Sequence, residues 1–264
     1  TQFISEGATR RGHLLTLIAV ETLRDVGFTA QELLNAGHTL PELKMGGFKA
    51  KELKAIGLKA AALKAVGFNA GQLKGGGFNA SQLKAADFTA AQLKAGGFTA
   101  KALKGVFFTA AELKANGFTP RELRVGTFTA KDLRPLGYSV YEFREAGFTV
   151  ANLQAVGVLL PELKEAFPAT ELKEGAYGCT EMRAAGFSAK ELKEAGYSAA
   201  EKRIAGFSAA EMREAGYSAK KVKAAGYPAS EARDAGWGVE ALKGAGYSAL
   251  EMKQAKVTAL ELKQ

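Results

Sequence analysis

The chain has 264 residues and carries 36 Lys and Arg against 27 Asp and Glu, which gives a net charge of +9. Its single cysteine, Cys179, excludes an internal disulfide framework and a multi-cysteine metal site. Two histidines, His13 and His38, leave little material for a histidine-based metal site or a Ser–His–Asp triad. The apolar fraction of 47% is that of a folded protein, and no apolar run approaches the roughly 20 residues that a membrane-spanning helix needs.

Residues 1–26 are predicted to form an N-terminal segment and a capping helix. Residues 1–17 do not fit the pattern that follows, and residues 14–26 have the spacing of an amphipathic helix. The chain starts with Thr1 rather than Met, which is consistent with removal of an N-terminal targeting peptide. We expect an intracellular location, in the cytoplasm or inside an organelle.

From residue 27 onward the sequence repeats a ten-residue phrase: Gly, aromatic, Ser or Thr, Ala, any residue, Glu or Gln, Leu, Lys or Arg, any residue, Ala. The leucine of this phrase recurs every ten residues from Leu23 to Leu163, with Phe143 in its place once. After a single step of nine the column resumes at Leu172 and continues through Met182, Leu192, Met212, Leu242 and Met252 to Leu262. A short fixed period over nearly the whole chain indicates an array of about 25 repeats.

Each residue type of the phrase has a role in a short helix. Ser or Thr followed three residues later by Glu or Gln is a capping box, and the aromatic before it is spaced to form a hydrophobic staple with the leucine. Lys or Arg in the last turn complements the helix dipole, and Gly supplies a left-handed helix stop. We therefore predict an all-α fold: an α-solenoid in which each repeat is one short capped helix plus a Gly–aromatic turn.

A short-period β-solenoid is the competing interpretation. Helix-forming residues dominate the interior of each repeat, and β-branched residues are scarce there, which favours helices. The cap position departs from the pattern at Lys49, Lys59, Leu159, Pro168, Gly178, Pro228 and Gly238. The chain resembles α-solenoids as an architecture, without the longer repeats of the tetratricopeptide, ankyrin or armadillo classes.

Two-turn helices are unstable alone, so neighbouring repeats must bury the leucine and the aromatic of each phrase. Connections of two or three residues favour antiparallel or steeply angled neighbours, with two or three helices per superhelical turn. The predicted core is represented by Leu53, Phe68, Leu83, Phe98, Leu113, Phe118, Leu192 and Phe207.

The charge divides the repeat array into a basic half, residues 27–166, and a charge-balanced half, residues 167–264. Residues 41–140 hold 16 Lys and Arg against 6 Asp and Glu, whereas residues 141–264 hold 17 of each. In the later repeats acidic residues such as Glu145 and Glu165 stand next to the basic column and neutralise it.

The basic column of the first half has two interpretations. Its members are either solvated residues that complement helix dipoles or an electrostatic docking strip for an acidic partner. If neighbouring helices are antiparallel, successive members project to opposite sides. The candidate partner-binding residues are Lys44, Lys54, Lys64, Lys74, Lys84, Lys94, Lys104, Lys114, Arg124 and Arg134.

No constellation of residues indicates an active site. The run Gly75–Gly77 lacks the preceding strand and the Lys-Ser/Thr ending of a phosphate loop. Cys179 occupies an alanine position, which indicates a small packing residue, and His38 replaces a staple aromatic. We predict no catalytic residues, metal ligands or cofactor-binding residues, no cofactor, and no enzyme activity.

The sequence therefore favours a non-enzymatic structural or linker protein that bridges subunits of a large assembly. Its basic half would dock on other proteins with acidic surfaces, and no transmembrane segment is expected. The alternative is a nucleic-acid-binding α-solenoid, with RNA as the ligand, that uses the same basic half.

Overall fold

The computed structural model describes residues 19–263, and for the last of these residues the backbone only. Within this range every regular element is a helix of three to seven residues, and no strand occurs. The prediction of an all-α repeat array is confirmed, and the β-solenoid interpretation is wrong for the described residues. Of the predicted helix over residues 14–26, the structure shows Val20–Asp25; residues 14–18 lie outside the described range.

The contacts divide the chain into two compact units, Thr1–Gly137 and Tyr138–Gln264. This boundary differs from the one drawn at residues 166 and 167 from the sequence, and it lies close to the change in charge. The first unit carries 19 Lys and Arg against 10 Asp and Glu, and the second carries 17 of each. The net charge of the chain therefore belongs to the first unit.

The first unit contains twelve α-helices among its described residues, and a short 3₁₀ segment, Arg134–Leu136, follows the last of them. The α-helices are Val20–Asp25, Ala30–Asn35, Leu40–Met45, Ala50–Ala55, Ala60–Ala65, Ala70–Gly75, Ala80–Lys84, Ala90–Ala95, Ala100–Lys104, Ala110–Ala115, Pro120–Val125 and Ala130–Leu133.

The second unit continues the pattern with thirteen α-helices over its described residues. They are Val140–Glu145, Val150–Gln154, Leu160–Ala166, Ala169–Glu174, Cys179–Ala184, Ala189–Glu194, Ala199–Ile204, Ala209–Glu214, Ala219–Ala224, Ala229–Asp234, Val239–Gly244, Ala249–Gln254 and Ala259–Lys263.

Helix starts use the capping box that the phrase predicts. At Ala110–Ala115 the Glu112 amide donates to the Thr109 hydroxyl over 3.2 Å, and the Thr109 amide donates to the Glu112 carboxylate over 2.7 Å. These hydrogen bonds hold the pKa of Glu112 below its ordinary value, with the backbone bond from Thr109 as the largest cause. The N-terminal backbone donors of the helix are thereby partly satisfied within the repeat itself.

Helix ends use the left-handed stop. After Ala90–Ala95 the Gly97 amide donates to the Lys94 carbonyl and the Phe98 amide to the Leu93 carbonyl, over 2.8 and 3.0 Å. These are the two bonds of a Schellman motif, and Gly97 has the required positive φ of 80°. Five repeats make the same stop without glycine, at Asp87, Phe107, Thr127, Ala176 and Lys256.

Two helices complete one superhelical turn within each unit. Helices pack mainly against the second helix along the chain, as Ala50–Ala55 does against Ala70–Gly75 in the first unit. In the second unit Ala219–Ala224 packs in the same way against Val239–Gly244. Corresponding residues of consecutive repeats therefore lie on opposite sides of the superhelix axis of a unit, and those 20 residues apart lie on the same side.

The leucine column forms the centre of each unit. Leu53, Leu83, Leu113 and Leu192 are completely buried. The aromatic positions Phe68, Phe98, Phe118 and Phe207 are between 4% and 7% exposed, so all eight residues named from the sequence lie in the core. Burial of one leucine and one ring contributes roughly 1.5–3 kcal/mol for each side chain before the entropy of ordering is counted.

Small residues let the helix ends approach closely. A Cβ added to Gly96, the residue before the stop of Ala90–Ala95, would lie 2.7 Å from the Cβ of Ala70. Ala70 begins the helix one turn earlier and is itself buried. The contact explains the alanine that opens most helices: a larger side chain there would separate the turns.

The nine-residue step is absorbed without interrupting the core of the second unit. The helix Leu160–Ala166 ends at Phe167, whose backbone is extended, and Pro168 caps the following helix. Phe167 thus combines the stop and the staple positions in one residue. Leu163, Phe167 and Leu172 are all buried, so the column continues through the step.

Replacing a non-glycine stop residue by glycine should stabilise the first unit. Thr127 is β-branched and adopts φ 69°, a conformation that costs about 1–2 kcal/mol for a residue with a Cβ. We expect Thr127→Gly to raise the free energy of unfolding by about 1 kcal/mol in urea denaturation. The control is Gly117→Thr, where φ is 83° and a Cβ would meet no atom within 4 Å, so the expected loss is purely conformational. A loss of stability in Thr127→Gly would contradict this account of the helix stops.

Candidate functional site

The basic column reaches forward by one superhelical turn. The Lys94 ammonium, at the end of one helix, donates to the carbonyl of Gly117 over 2.5 Å, at the stop of the second helix along. Helix C-termini present unpaired carbonyls and a partial negative charge, so a cation is stabilising there. The sequence analysis expected each lysine to complement its own helix, whereas in the structure it satisfies the carbonyls of another.

The same contact recurs in both units over 21 to 23 residues. In the first unit it joins Lys44 to Val66, Lys54 to Gly77, Lys64 to Ala86 and Asp87, Lys74 to Gly97, Lys84 to Val106 and Phe107, Lys104 to Thr127, and Lys114 to Leu136. In the second it joins Gln154 to Gly175, Lys164 to Ala185 and Gly186, Lys173 to Gly196, Arg183 to Ala205, Lys193 to Ala215 and Gly216, Arg203 to Ala225, Arg213 to Ala235, Lys223 to Gly246, and Arg233 to Ala255.

Most cations of this series also lie over the aromatic ring that follows the stop. The Lys84 ammonium is 4.4 Å from the centroid of the Phe108 ring, and the Lys173 ammonium is 4.6 Å from that of Tyr197. The ring face carries negative potential, so it attracts the ammonium. Gln154 makes the carbonyl contact without a charge, which shows that the position needs a long side chain with an N–H donor.

A carboxylate completes the arrangement in some repeats. Lys94 forms an ion pair with Glu122 over 2.8 Å, and Arg233 forms one with Glu261 over 3.1 Å, in each case with a capping-box acid 28 residues further on. The acid therefore caps its own helix and neutralises a cation from the preceding turn. These ion pairs are partly exposed, so each adds modestly to stability.

Four lysines of the first unit lack this carboxylate. The residues 28 positions after Lys44, Lys54, Lys64 and Lys74 are Gln72, Gln82, Gln92 and Ala102. The glutamines keep the helix cap, as in the 3.0 Å bond from the Asn79 amide to the Gln82 oxygen. Within the described residues none of these four lysines has an ion pair, so their charge is not compensated by the fold.

A family model described as a decapeptide repeat region matches residues 18–89, 67–140, 137–209, 161–229 and 206–264, which together span the array. The chain belongs to this family. No curated protein matches the chain. The ten-residue phrase, the capped helix and the stop are thus the structural unit of a decapeptide repeat.

The decapeptide repeats of the first unit place their turns in two rows. Row A holds the turns at Phe48, Phe68, Phe88 and Phe108, and row B, on the opposite side of the axis, holds those at Leu58, Phe78, Phe98 and Phe118. Lys44 and Lys64 follow row A, whereas Lys54 and Lys74 follow row B. The expectation that only every second lysine shares a side agrees with this geometry.

The ten candidate partner-binding residues thus have intramolecular roles. The eight lysines bind carbonyls at helix ends, and Arg124 and Arg134 also have partners within the described structure. Lys74 and Arg124 are exposed and the other eight are half-buried. A role for these residues in partner binding stays a prediction, and the four uncompensated lysines carry it best.

Tyrosines of the second unit add bonds between turns that the sequence did not predict. The hydroxyl of Tyr227 donates to the Phe207 carbonyl over 2.6 Å, and that of Tyr247 donates to the Tyr227 carbonyl over 2.8 Å. Burial raises the pKa of Tyr227 to about 12, so the hydroxyl remains a donor throughout the neutral range. The sequence signal for these hydrogen bonds is a Tyr in place of Phe at a buried position, because a buried hydroxyl needs a partner.

Lys202 is the largest departure from the phrase. It occupies the leucine position of its decapeptide repeat and is completely buried. Its ammonium donates to the Tyr197 carbonyl over 2.5 Å and lies 5.5 Å from the Tyr217 ring centroid. Burial lowers the pKa of this ammonium below its ordinary value.

The remaining chemically distinctive side chains are packing residues. Burial raises the pKa of the Cys179 thiol, which keeps it protonated and unreactive. His38 is buried and its Nδ1 lies 3.7 Å from the Glu42 carboxylate.

The described part of the chain has no group of three or more metal-ligating side chains, and His13 lies outside it. None of the helices described there is long and apolar enough to cross a membrane.

The contact between turns should contribute measurably to stability. In the second unit Lys173→Met keeps the aliphatic stem but removes the 2.6 Å hydrogen bond to Gly196 and the contact with the Tyr197 ring. We expect a loss of about 1–2 kcal/mol in the free energy of unfolding, measured by chemical denaturation. The control Lys190→Met changes an exposed lysine of the helix Ala189–Glu194 and should be nearly neutral. Equal effects in the two variants would contradict the structural role.

Replacing the buried lysine by the leucine of the phrase should stabilise the second unit. The folded-state pKa of Lys202 is depressed, so the charged form is favoured in the unfolded chain. That cost is fully present below the folded-state pKa and disappears as pH rises towards the ordinary value of 10.5. Lys202→Leu should therefore gain about 1–2 kcal/mol near neutral pH, and the gain should shrink in alkaline solution. Exposed Lys220→Leu is the control, and a pH-independent gain would contradict the assignment.

Proposed function

We propose that this decapeptide repeat protein is a non-enzymatic structural or linker protein whose first unit docks on acidic surfaces of other proteins. The observation that carries the proposal is the set of lysines without a carboxylate, Lys44, Lys54, Lys64 and Lys74. In many other repeats this position holds a carboxylate, as Glu122 does for Lys94, whereas Asn152, Lys221 and Ala241 stand there for Arg124, Lys193 and Arg213. A charge left uncompensated in consecutive repeats of one region is suited to contact charges on a partner.

The surrounding sequence strengthens this charge. Between Glu42 and Glu112 the chain has eleven lysines, and its only acids are Glu52 and Asp87. Lys49 and Lys59 stand at helix caps, where Ser, Thr or Asn would satisfy a backbone donor. At Lys59 the side chain makes no cap bond, so stability is sacrificed for a further positive charge.

The experiment compares capture of proteins from the source extract by two variants of equal net charge. Variant Q72E/Q82E/Q92E/A102E supplies the four missing carboxylates from within the first unit. Variant T180E/A200E/A210E/S230E adds four carboxylates at exposed first-turn positions of the second unit. We expect the wild type and the second-unit variant to retain the same acidic proteins, with salt-dependent release, and the first-unit variant to lose them.

Nuclease treatment distinguishes docking on proteins from the alternative function, which is binding of nucleic acid. If the captured material consists of RNA or DNA, or if protein capture disappears after nuclease digestion, the basic unit binds nucleic acid and the proposal is wrong. Equal capture by both variants would show that the four lysines have no part in docking. Circular dichroism of each variant verifies that the helices are retained.

A further inference from the structure

The two rows of turns in the first unit are not equally basic. On row A, Glu52 and Asp87 lie among the lysines, and the Glu52 carboxylate is 3.9 Å from Arg24. On row B no Asp or Glu occurs between Glu42 and Glu122. The uninterrupted positive stretch is therefore confined to one side of the unit.

Row B carries two of the four lysines that lack a carboxylate, and Lys44 and Lys64 of row A are the other two. Lys54 and Lys74 have no ion pair among the described residues, and Lys59 and Lys101 are exposed in the first turns that follow. Further along the row, the Lys94 ammonium is already paired with Glu122, which marks the end of the uncompensated stretch.

Open grooves lie between successive turns of row B. One groove, of about 420 Å³, is lined by Lys54, Leu58, Lys59, Phe78 and Gln82. A second groove along this row, of about 620 Å³, has Phe98, Lys101 and Val125 in its lining, and Val125 is 72% exposed. Glu122 also lines this second groove, where it is paired with Lys94. Both grooves therefore combine apolar walls with ammonium groups at the rim.

We propose that row B is the docking surface of the first unit and that its occupant is an acidic protein segment with apolar residues between its carboxylates. This inference rests on the proposed function and specifies which side of the unit performs it. The carboxylates would form ion pairs with Lys54 and Lys74, as Glu122 does with Lys94, and the apolar residues would enter the grooves. Charge complementarity on row B, with acids interspersed on row A, selects this side.

The spacing of the row suits an extended ligand. Packed helices lie about 8–10 Å apart, so lysines one turn apart repeat at that distance. In an extended polyproline II segment every third residue faces the same side, at intervals of about 9 Å. A segment with an acid at every third position therefore matches consecutive lysines of the row.

The probe is a 15-residue peptide with Glu at every third position and Leu among the intervening residues, titrated against the full chain by fluorescence anisotropy. Two variants of equal charge are compared: Q82E/A102E on row B and Q72E/Q92E on row A. Both pairs lie at the third helical position, where Glu completes a capping box, so both should fold with at least wild-type stability. We expect the row B pair to weaken peptide binding about tenfold or more and the row A pair to change it less than about threefold.

Three results would overturn the inference. Equal weakening by both pairs would show that binding follows overall charge, which leaves the proposed function intact but assigns no side. Stronger weakening by the row A pair would place docking on the other row. Failure of the wild type to bind this peptide while it still retains acidic proteins from extract would refute the extended ligand and not the proposed function. As a separate arm, a single-stranded oligonucleotide that binds more tightly than the peptide, and that Q82E/A102E releases, would assign row B to nucleic acid instead.

Discussion

Helices of four to seven residues cannot satisfy their own ends. An α-helix leaves its first four amides and last four carbonyls without partners inside the helix, so in helices this short the ends outnumber the middle. The structure satisfies both ends in most repeats. Thr, Ser or Asn with Glu or Gln satisfies the amides locally, and the Schellman stop with a cation from the preceding turn satisfies the carbonyls. Because these backbone groups have partners, burial of the leucine column can stabilise the array.

The local half of this arrangement was predictable from the phrase. Caps, stops and staples act over three to six residues, so the type of each residue is enough to indicate its partner. The buried column was predictable for the same reason, because leucine and the ring recur at one position in almost every copy. The cation contacts were not, because they join residues 21 to 23 apart and exist only if two helices complete a turn. Short connections favoured two helices per turn but did not exclude three.

Other features were missed because they are departures from the phrase. Lys202 reads as an ordinary helix residue until its place in the leucine column is noticed, and Phe107 reads as part of an aromatic pair although it forms a left-handed stop. The boundary between the units follows contacts at Gly137 and Tyr138 rather than the nine-residue step, since the core passes through that step intact. For the candidate site, the sequence located the basic region. It did not distinguish compensated from uncompensated lysines, because that distinction depends on a residue 28 positions away.

The residue at the third helical position can change the surface charge of a repeat with little effect on its stability. Glu at this position caps its helix and forms an ion pair with a cation from an earlier turn, as Glu122 does. Gln, such as Gln82, still caps the helix but forms no ion pair. Since a partly exposed ion pair contributes little to stability, the exchange of Glu for Gln alters the charge of a turn while its packing stays the same. Because each repeat contacts only nearby repeats, such exchanges act independently along the array. A basic surface and a neutral one can therefore be built on the same decapeptide scaffold, and the two units of this chain differ partly in this way.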